Sequence, residues 1–277
     1  VIDECHALSP NQIIQLKSYI NFWEVKRVIG MSGTISEQTE LELKEGLGLE
    51  IISEYTIEQA IADGIIKDYE INIIQVPLET KKTRQVKTKT GFFYTSEKET
   101  FNWLTSQIAI EIEGSGFTNY VRLKNLRLSR MGLIKESTSK VEVVKQLLKK
   151  WKDERVLVFT GLTKVADDIC LSYHSKSTDE VNKDKFMNCE CNHLSIVNKL
   201  RAGITFRQLN KSIVAFFDSN EENLLQKIAR AMVMEYETKA YIYLISSDEP
   251  VELGWLKKAT KSLNPEKIKY IKLEELL

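Results

Sequence analysis

Two hydrophobic patterns take turns along the chain: short continuous apolar runs, and longer stretches with an apolar residue every three or four positions. The first kind predicts strands buried on both faces, the second amphipathic helices. Runs occur at Val1-Ile2, Val28-Ile29, Leu49–Ile52, Glu70–Val76, Arg155–Phe159, Leu194–Val197, Lys211–Phe217 and Ala240–Ile245. Helical spacing covers Asn11–Asn21, Glu37–Gly46, Ser96–Glu113, Ser139–Trp151, Thr163–Leu171, Glu221–Val233 and a segment near Val251–Leu263. Ser36 suits the cap of the second helix and Gly46 its stop, while Thr56 and Gln59 have capping-box spacing before Ile57. Strands alternating with helices predict an α/β protein with parallel sheets.

A length of 277 residues suits one or two domains with real cores. No apolar run reaches transmembrane length and no signal-peptide pattern opens the chain, so no membrane is expected as a partner. The four cysteines suggest no disulfide framework, which makes the reducing cytoplasm the expected compartment, or the host cytoplasm for a viral protein. Net charge is zero, but Thr80–Lys135 carries eleven Lys and Arg against four Glu, a local excess of seven positive charges. Such a stretch fits a phosphate-binding surface or a solvated charged face. Phe92, Phe93, Tyr94, Phe101, Trp103, Phe117 and Tyr120 interleave with it, as base-stacking or as core residues.

The candidate chemistry starts at Val1-Ile2-Asp3-Glu4-Cys5-His6, where a buried strand end would bring two carboxylates to the rim of a parallel sheet. A nucleoside triphosphatase needs one acid there for Mg²⁺, here Asp3, and one to polarise the attacking water, here Glu4. A second short strand ends in Ser32-Gly33-Thr34. Together the two resemble motifs II (Asp-Glu-x-His) and III (Ser-Ala/Gly-Thr) of the DEAD/DEAH-like, DECH-box helicases of superfamily two. Val156–Thr160 resembles motif IV, Asn198–Thr205 motif V, and Gln226–Val233 motif VI (Gln-x-x-Gly-Arg-x-x-Arg). Gln59-Ala60-Ile61-Ala62-Asp63-Gly64-Ile65 resembles the bridge between the two motor domains. The pattern is broken at Ala229, at Thr205 in place of Asp, and at Val233 in place of the second motif VI arginine.

The resemblance implies a partial first RecA-like domain plus a complete second one, with a basic, partly helical insert: residues 1–77, 136–277 and 78–135. It implies ATP and Mg²⁺ as cofactors, with Asp3 as the metal residue and Asp3, His6, Gly203 and Arg230 at the nucleotide. Glu4, Asp3, Arg230 and Gln226 would be catalytic, and Ser32, Gly33 and Thr34 would couple the site to the second domain. DNA, with RNA as the alternative, would meet Lys87, Lys89, Arg122, Lys124, Arg127, Arg130 and Thr160. No G-x-x-x-x-G-K-[ST] phosphate loop occurs in the chain. The expectation is therefore a fragment or split product of a phage-type DNA helicase or translocase, with a partner chain as one source of the loop and no ATP hydrolysis by this chain alone. The alternative is a non-catalytic nucleic-acid-binding remnant of a helicase. Cys189-x-Cys191-x-His193, with His174 upstream, reads as a turn, and less readily as a zinc site, its spacing being tighter than usual.

Overall fold

Packing divides the chain into two units, Val1–Asp63 and Gly64–Leu277. The structure, a computed structural model, describes residues 1–33, 35, 37–87, 91–113, 119–177, 180–197, 206–233 and 239–277, with Lys87 as backbone only.

The first unit holds α1 (Pro10–Phe22), α2 (Glu37–Leu47) and α3 (Ile57–Ala62). Capping boxes start α1 and α3. Gln12 N donates to Ser9 Oγ at 3.4 Å and Ser9 N to Gln12 Oε1 at 2.8 Å. Thr56 and Gln59 do the same at 3.2 and 2.8 Å. Cys5, Ile13 and Leu43 form a small core, with Ile2, Leu8, Leu47 and Leu49 packed around it. The three strands expected in this unit are not formed among the described residues. Ile2 and Gly30 make one parallel bridge, closed by Ile2 N to Ile29 O and Met31 N to Ile2 O, both 2.8 Å. The backbone of Glu4 then turns left-handed, with φ 50°, which ends the pairing. Leu49 enters the core from a loop, whereas Ile52 is 89 % exposed.

The second unit runs β1 (Tyr69–Val76), β2 (Arg84–Lys87), β3 (Phe92–Thr95), α4 (Glu97–Glu113), α5 (Tyr120–Lys135), α6 (Thr138–Lys150), β4 (Val156–Phe159) and α7 (Thr163–Ile169). It continues with β5 (Ser172–Tyr173), α8 (Val181–Met187), β6 (His193–Ile196), β7 (Lys211–Val214), α9 (Glu221–Ala229), β8 (Ala240–Ser247), α10 (Pro250–Ala259), β9 (Ile268–Tyr270) and α11 (Leu273–Leu276). Seven strands form one sheet in the order β5-β6-β4-β7-β8-β1-β9, every pairing parallel. β1, placed by the sequence reading in the first segment, residues 1–77, pairs with β8 from Tyr69 to Val76 and so lies inside this sheet. The reason is burial: Ile71, Ile73 and Ile74 are 0–1 % exposed, and only an interior strand covers both faces.

The main core lies where α6 meets the sheet. Val144, Leu147 and Trp151 pack on Ile74, Val158, Ile213 and Ile245. Each fully buried side chain of this size contributes about 1.5–3 kcal/mol. A second cluster of Leu78, Phe101, Leu133, Ile134 and Phe216 joins the basic insert to the end of β7. The carboxylate of Glu97, 2 % exposed, spans the same junction. It accepts from Thr138 N at 2.8 Å, Ser137 Oγ at 3.2 Å and Glu79 N at 3.4 Å, and so caps α6 from outside. Nearby, Lys140 and Glu252 form an ion pair whose side chains are 3 % and 0 % exposed. Glu252 also accepts from Ser247 N at 2.9 Å.

Candidate phosphate-binding site

The order of the strands determines where a ligand can enter the second unit. After β4 the chain passes through α7 to β5 and then β6, on one side of β4; it next crosses to β7 on the other side. The connections diverge at the carboxyl end of β4, and in open parallel sheets that is where a crevice forms. A cavity of about 340 Å³ lies there, lined by Phe159 at the end of β4, Thr160 after it, Ile196 of β6, and Phe216 and Asp218 after β7. Gln226, Lys227 and Arg230 of the α9 segment and Lys135 at the end of α5 complete it.

Its lining is cationic: Lys135, Lys227 and Arg230 face one carboxylate, Asp218. Lys227 Nζ donates to Phe216 O at 3.1 Å. Its pKa falls from 10.5 to about 8, chiefly because burial disfavours the ammonium, with Lys135 adding repulsion and Asp218 opposing it. Both lysines lie over the Phe216 ring, Lys135 Nζ at 4.6 Å and Lys227 Nζ at 5.9 Å from its centre. Burial also lowers the pKa of Arg230. A cavity with desolvated cations favours an oxyanion, which would return the charge balance that water cannot supply. Gly161 allows the close approach: a Cβ there would lie 2.7 Å from Lys135 Cγ and 2.9 Å from Phe216 Cδ1.

Of the residues singled out in the sequence, Thr160, Gln226 and Arg230 come together at this cavity. Thr160 is 3 % exposed, and its hydroxyl donates within 3.4 Å of Leu162 O and Ile196 O, so it forms floor rather than rim. Gln226 Nε2 donates to Glu222 Oε1 at 3.4 Å. Val233 bridges Ile66 in an antiparallel contact. Gly203, with all of Asn198–Thr205, lies outside the described residues, as do Thr34, Lys89 and the side chain of Lys87. Sequence reasoning missed Lys135, Lys227 and Gly161. One signal was present: Lys227 sits between Leu224 and Ile228, both 1 % exposed, on the apolar side of α9.

In the first unit, His6 Nδ1 lies 2.6 Å from Ser32 Oγ and 3.4 Å from Glu4 Oε2, so three of the singled-out residues meet. Asp3 is exposed, and its Oδ1 accepts from Glu4 N at 3.0 Å. Cys5 N donates to Met31 O at 3.0 Å, holding this turn beside the segment that carries Ser32 and Gly33. A Cβ on Gly30 would lie 3.0 Å from Cys5 Sγ, which accounts for glycine there. Among the described residues no three His, Cys, Asp or Glu side chains gather as metal ligands. The donor set still suits Mg²⁺, which commonly takes one or two carboxylates and completes its octahedron with water and substrate phosphates. The cysteines of the 189–193 turn form no such group; His193 Nε2 instead contacts Trp151 O at 3.0 Å and His174 pairs with Asp167 at 2.8 Å.

The basic residues of the insert divide. Arg122 lies 3.4 Å from Glu111, and Arg130 turns into α4, 3.3 Å from Thr105 and 5.8 Å from the centre of the Phe101 ring. Lys124 and Arg127, one helical turn apart on α5, are exposed. Phe101 belongs to the core, whereas Phe92, Phe93, Tyr94, Trp103 and Tyr120 are exposed. No described helix is long and apolar enough to cross a membrane.

No protein-family profile and no curated protein sequence matches the chain. Among solved structures, Saccharomyces cerevisiae Dbp5 bound to RNA and ADP BeF3 superposes with a TM-score of 0.60 at 10 % identity, covering 99 % of this chain and 59 % of that one. A single-residue variant of Dbp5 in the same bound state gives 0.60 at 11 % identity, with coverage of 99 % and 59 %. The isolated C-terminal domain of Dbp5, described as a DEAD-box protein, gives 0.43 at 13 % identity over 50 % of this chain and 87 % of that one. At these identities the likeness is one of fold. The chain has the RecA-like α/β fold found in helicases, and it spans about 59 % of the length of the Dbp5 structures it resembles.

Proposed function

We propose that this chain is a piece of an ATP-dependent superfamily two helicase or translocase, of phage type, that acts on DNA in the host cytoplasm. The observation that carries this is the cationic cavity at the carboxyl ends of β4, β6 and β7, lined by the motif IV and motif VI segments in a helicase-type fold. Arg230 would meet phosphate charge, with Gln226 as its polar neighbour. Asp3 would hold Mg²⁺, which supplies charge neutralisation at the phosphates, and Glu4 would orient water, with His6 and Ser32 steadying the turn that carries them. Lys124 and Arg127 would track the nucleic-acid backbone.

The chain contains no phosphate-loop sequence, so it is expected not to turn over ATP by itself, the loop coming from elsewhere in a longer or two-chain protein. Steady ATP turnover by the pure chain, abolished by Glu4→Gln, would overturn that. The reading as a whole is tested by fluorescence anisotropy with labelled single- and double-stranded DNA and RNA over a salt series. Affinity that falls steeply with salt supports it, the preferred nucleic acid being read from the same titrations; no binding at low salt refutes it. A second reading, a non-catalytic nucleic-acid-binding remnant, is favoured by one observation: Val233 occupies the second motif VI arginine position and is engaged in backbone pairing with Ile66.

A further inference from the structure

The β2–β3 hairpin carries three consecutive exposed aromatic residues, Phe92 at 62 %, Phe93 at 50 % and Tyr94 at 59 %. Single exposed apolar residues are ordinary, but exposed aromatic rings that share one face mark an interaction surface. Side chains alternate along a strand, and directly opposed residues share a face. Lys87 opposes Phe92 and Gln85 opposes Tyr94, so Phe92 and Tyr94 share one face, with Phe93 and Val86 on the other. Two residues apart in a strand places Phe92 and Tyr94 about 6.7 Å from each other along it. That is close to twice the ~3.4 Å rise between stacked bases, the gap one flat base fills.

The base of the hairpin is held firmly. Thr95 is 7 % exposed, and Ser96 and Glu99 close a reciprocal cap on α4, with Glu99 N to Ser96 Oγ at 3.0 Å and Ser96 N to Glu99 Oε2 at 3.2 Å. The aromatic strand thus leads straight into a helix anchored in the second unit. Charge selects the partner. Between Val86 and Thr95 the sequence carries two lysines and no carboxylate, while Arg84 at the base of the hairpin lies 3.8 Å from Glu136. Exposed rings on a strand pair whose sequence is net positive suit a ligand with flat faces and a negative backbone.

We infer that the Phe92 and Tyr94 face of this hairpin is a stacking platform for unpaired bases of single-stranded nucleic acid. The inference rests on the nucleic-acid reading above for its ligand class and adds a site to it. It predicts a preference for single strands over duplex, because paired bases keep their faces covered. The test uses the full chain and the Phe92→Ala/Tyr94→Ala double variant, which removes only exposed rings. Both are titrated into labelled single-stranded and duplex DNA at several salt concentrations. The variant should lose single-strand affinity about tenfold or more, hold its duplex affinity, and keep the wild-type salt slope, since rings neutralise no phosphate. Oligonucleotides carrying 2-aminopurine should show fluorescence quenching with the wild-type chain and not with the variant. Wild-type binding that the variant retains in full overturns the platform and leaves the nucleic-acid reading intact; absence of binding by either protein overturns both. Loss in the variant of binding to labelled poly-glutamate, with oligonucleotide binding retained, would assign the face to an acidic protein partner and overturn the inference.

Discussion

Replacing Lys227 with methionine should strengthen the fold and weaken binding of phosphate-bearing ligands. Holding the ammonium at a pKa of about 8 rather than 10.5 corresponds to about 3 kcal/mol of disfavoured charge, at about 1.36 kcal/mol per pH unit. That cost is fully present below pH 8, where folded and unfolded chains both carry the proton, and fades as pH rises from 8 to 10.5. Methionine fills similar space without the charge. It forfeits the hydrogen bond to Phe216 O, about 1 kcal/mol, and the ring contact, about 0.5–1 kcal/mol. A net gain of about 1 kcal/mol at pH 7 remains, or ~2–4 °C in Tm for a unit of this size. The gain should shrink toward pH 10. Ligand binding should move the other way. In the wild type, affinity for a labelled oligonucleotide at constant ionic strength should fall up to about tenfold between pH 7 and 9 as Lys227 loses its proton, while the variant binds weakly with a flatter profile. Thermal melting at pH 7, 8.5 and 10 and anisotropy over pH 7–9 check both arms. A lower Tm at pH 7 or an unaltered pH profile in the variant would refute the reading of Lys227 as a desolvated cation poised for an anion.

Gly161→Ala should cost about 1–3 kcal/mol and weaken phosphate binding, because the new methyl group meets Lys135 and Phe216; the urea midpoint and anisotropy report the two effects. Lys140→Met leaves Glu252 buried and unpaired and should cost about 3–5 kcal/mol in urea unfolding, with the Lys140→Met/Glu252→Leu pair recovering much of it. Lys124→Ala/Arg127→Ala should lower single-strand affinity and reduce the salt slope by about 1.4, whereas Arg130→Ala should act mainly on stability through Thr105 and Phe101.

The second unit was largely legible because its pattern is local. The run Arg155–Phe159 predicts a buried strand, and Val156–Phe159 is buried at every position. The spacing over Ser96–Glu113 predicts a helix, which spans Glu97–Glu113. The short β5 and β9 strands were not legible, since two or three residues hold no period; sheet edges define them. The strands expected in the first unit failed for a different reason. A strand exists through its neighbours, and Ile2 and Gly30 have only each other among the described residues. Asp3, Glu4, His6 and Ser32 could be marked in the sequence because a motif names them, but Lys135 is recruited by folding from about ninety positions before Lys227, and no spacing announces that.

The Glu97 carboxylate bears on how this chain can change over evolutionary time. It opens α4, within residues 78–135, yet it supplies the acceptors for the opening amide and hydroxyls of α6, a helix of the main core. Loss of the segment that carries it would leave the buried hydroxyl of Ser137 and the part-buried amide of Thr138 without their carboxylate. That segment is thereby tied to the main core. Its exposed hairpin and the outer face of α5 are free to drift toward new ligands, while the residues at its root are held by a helix they do not belong to.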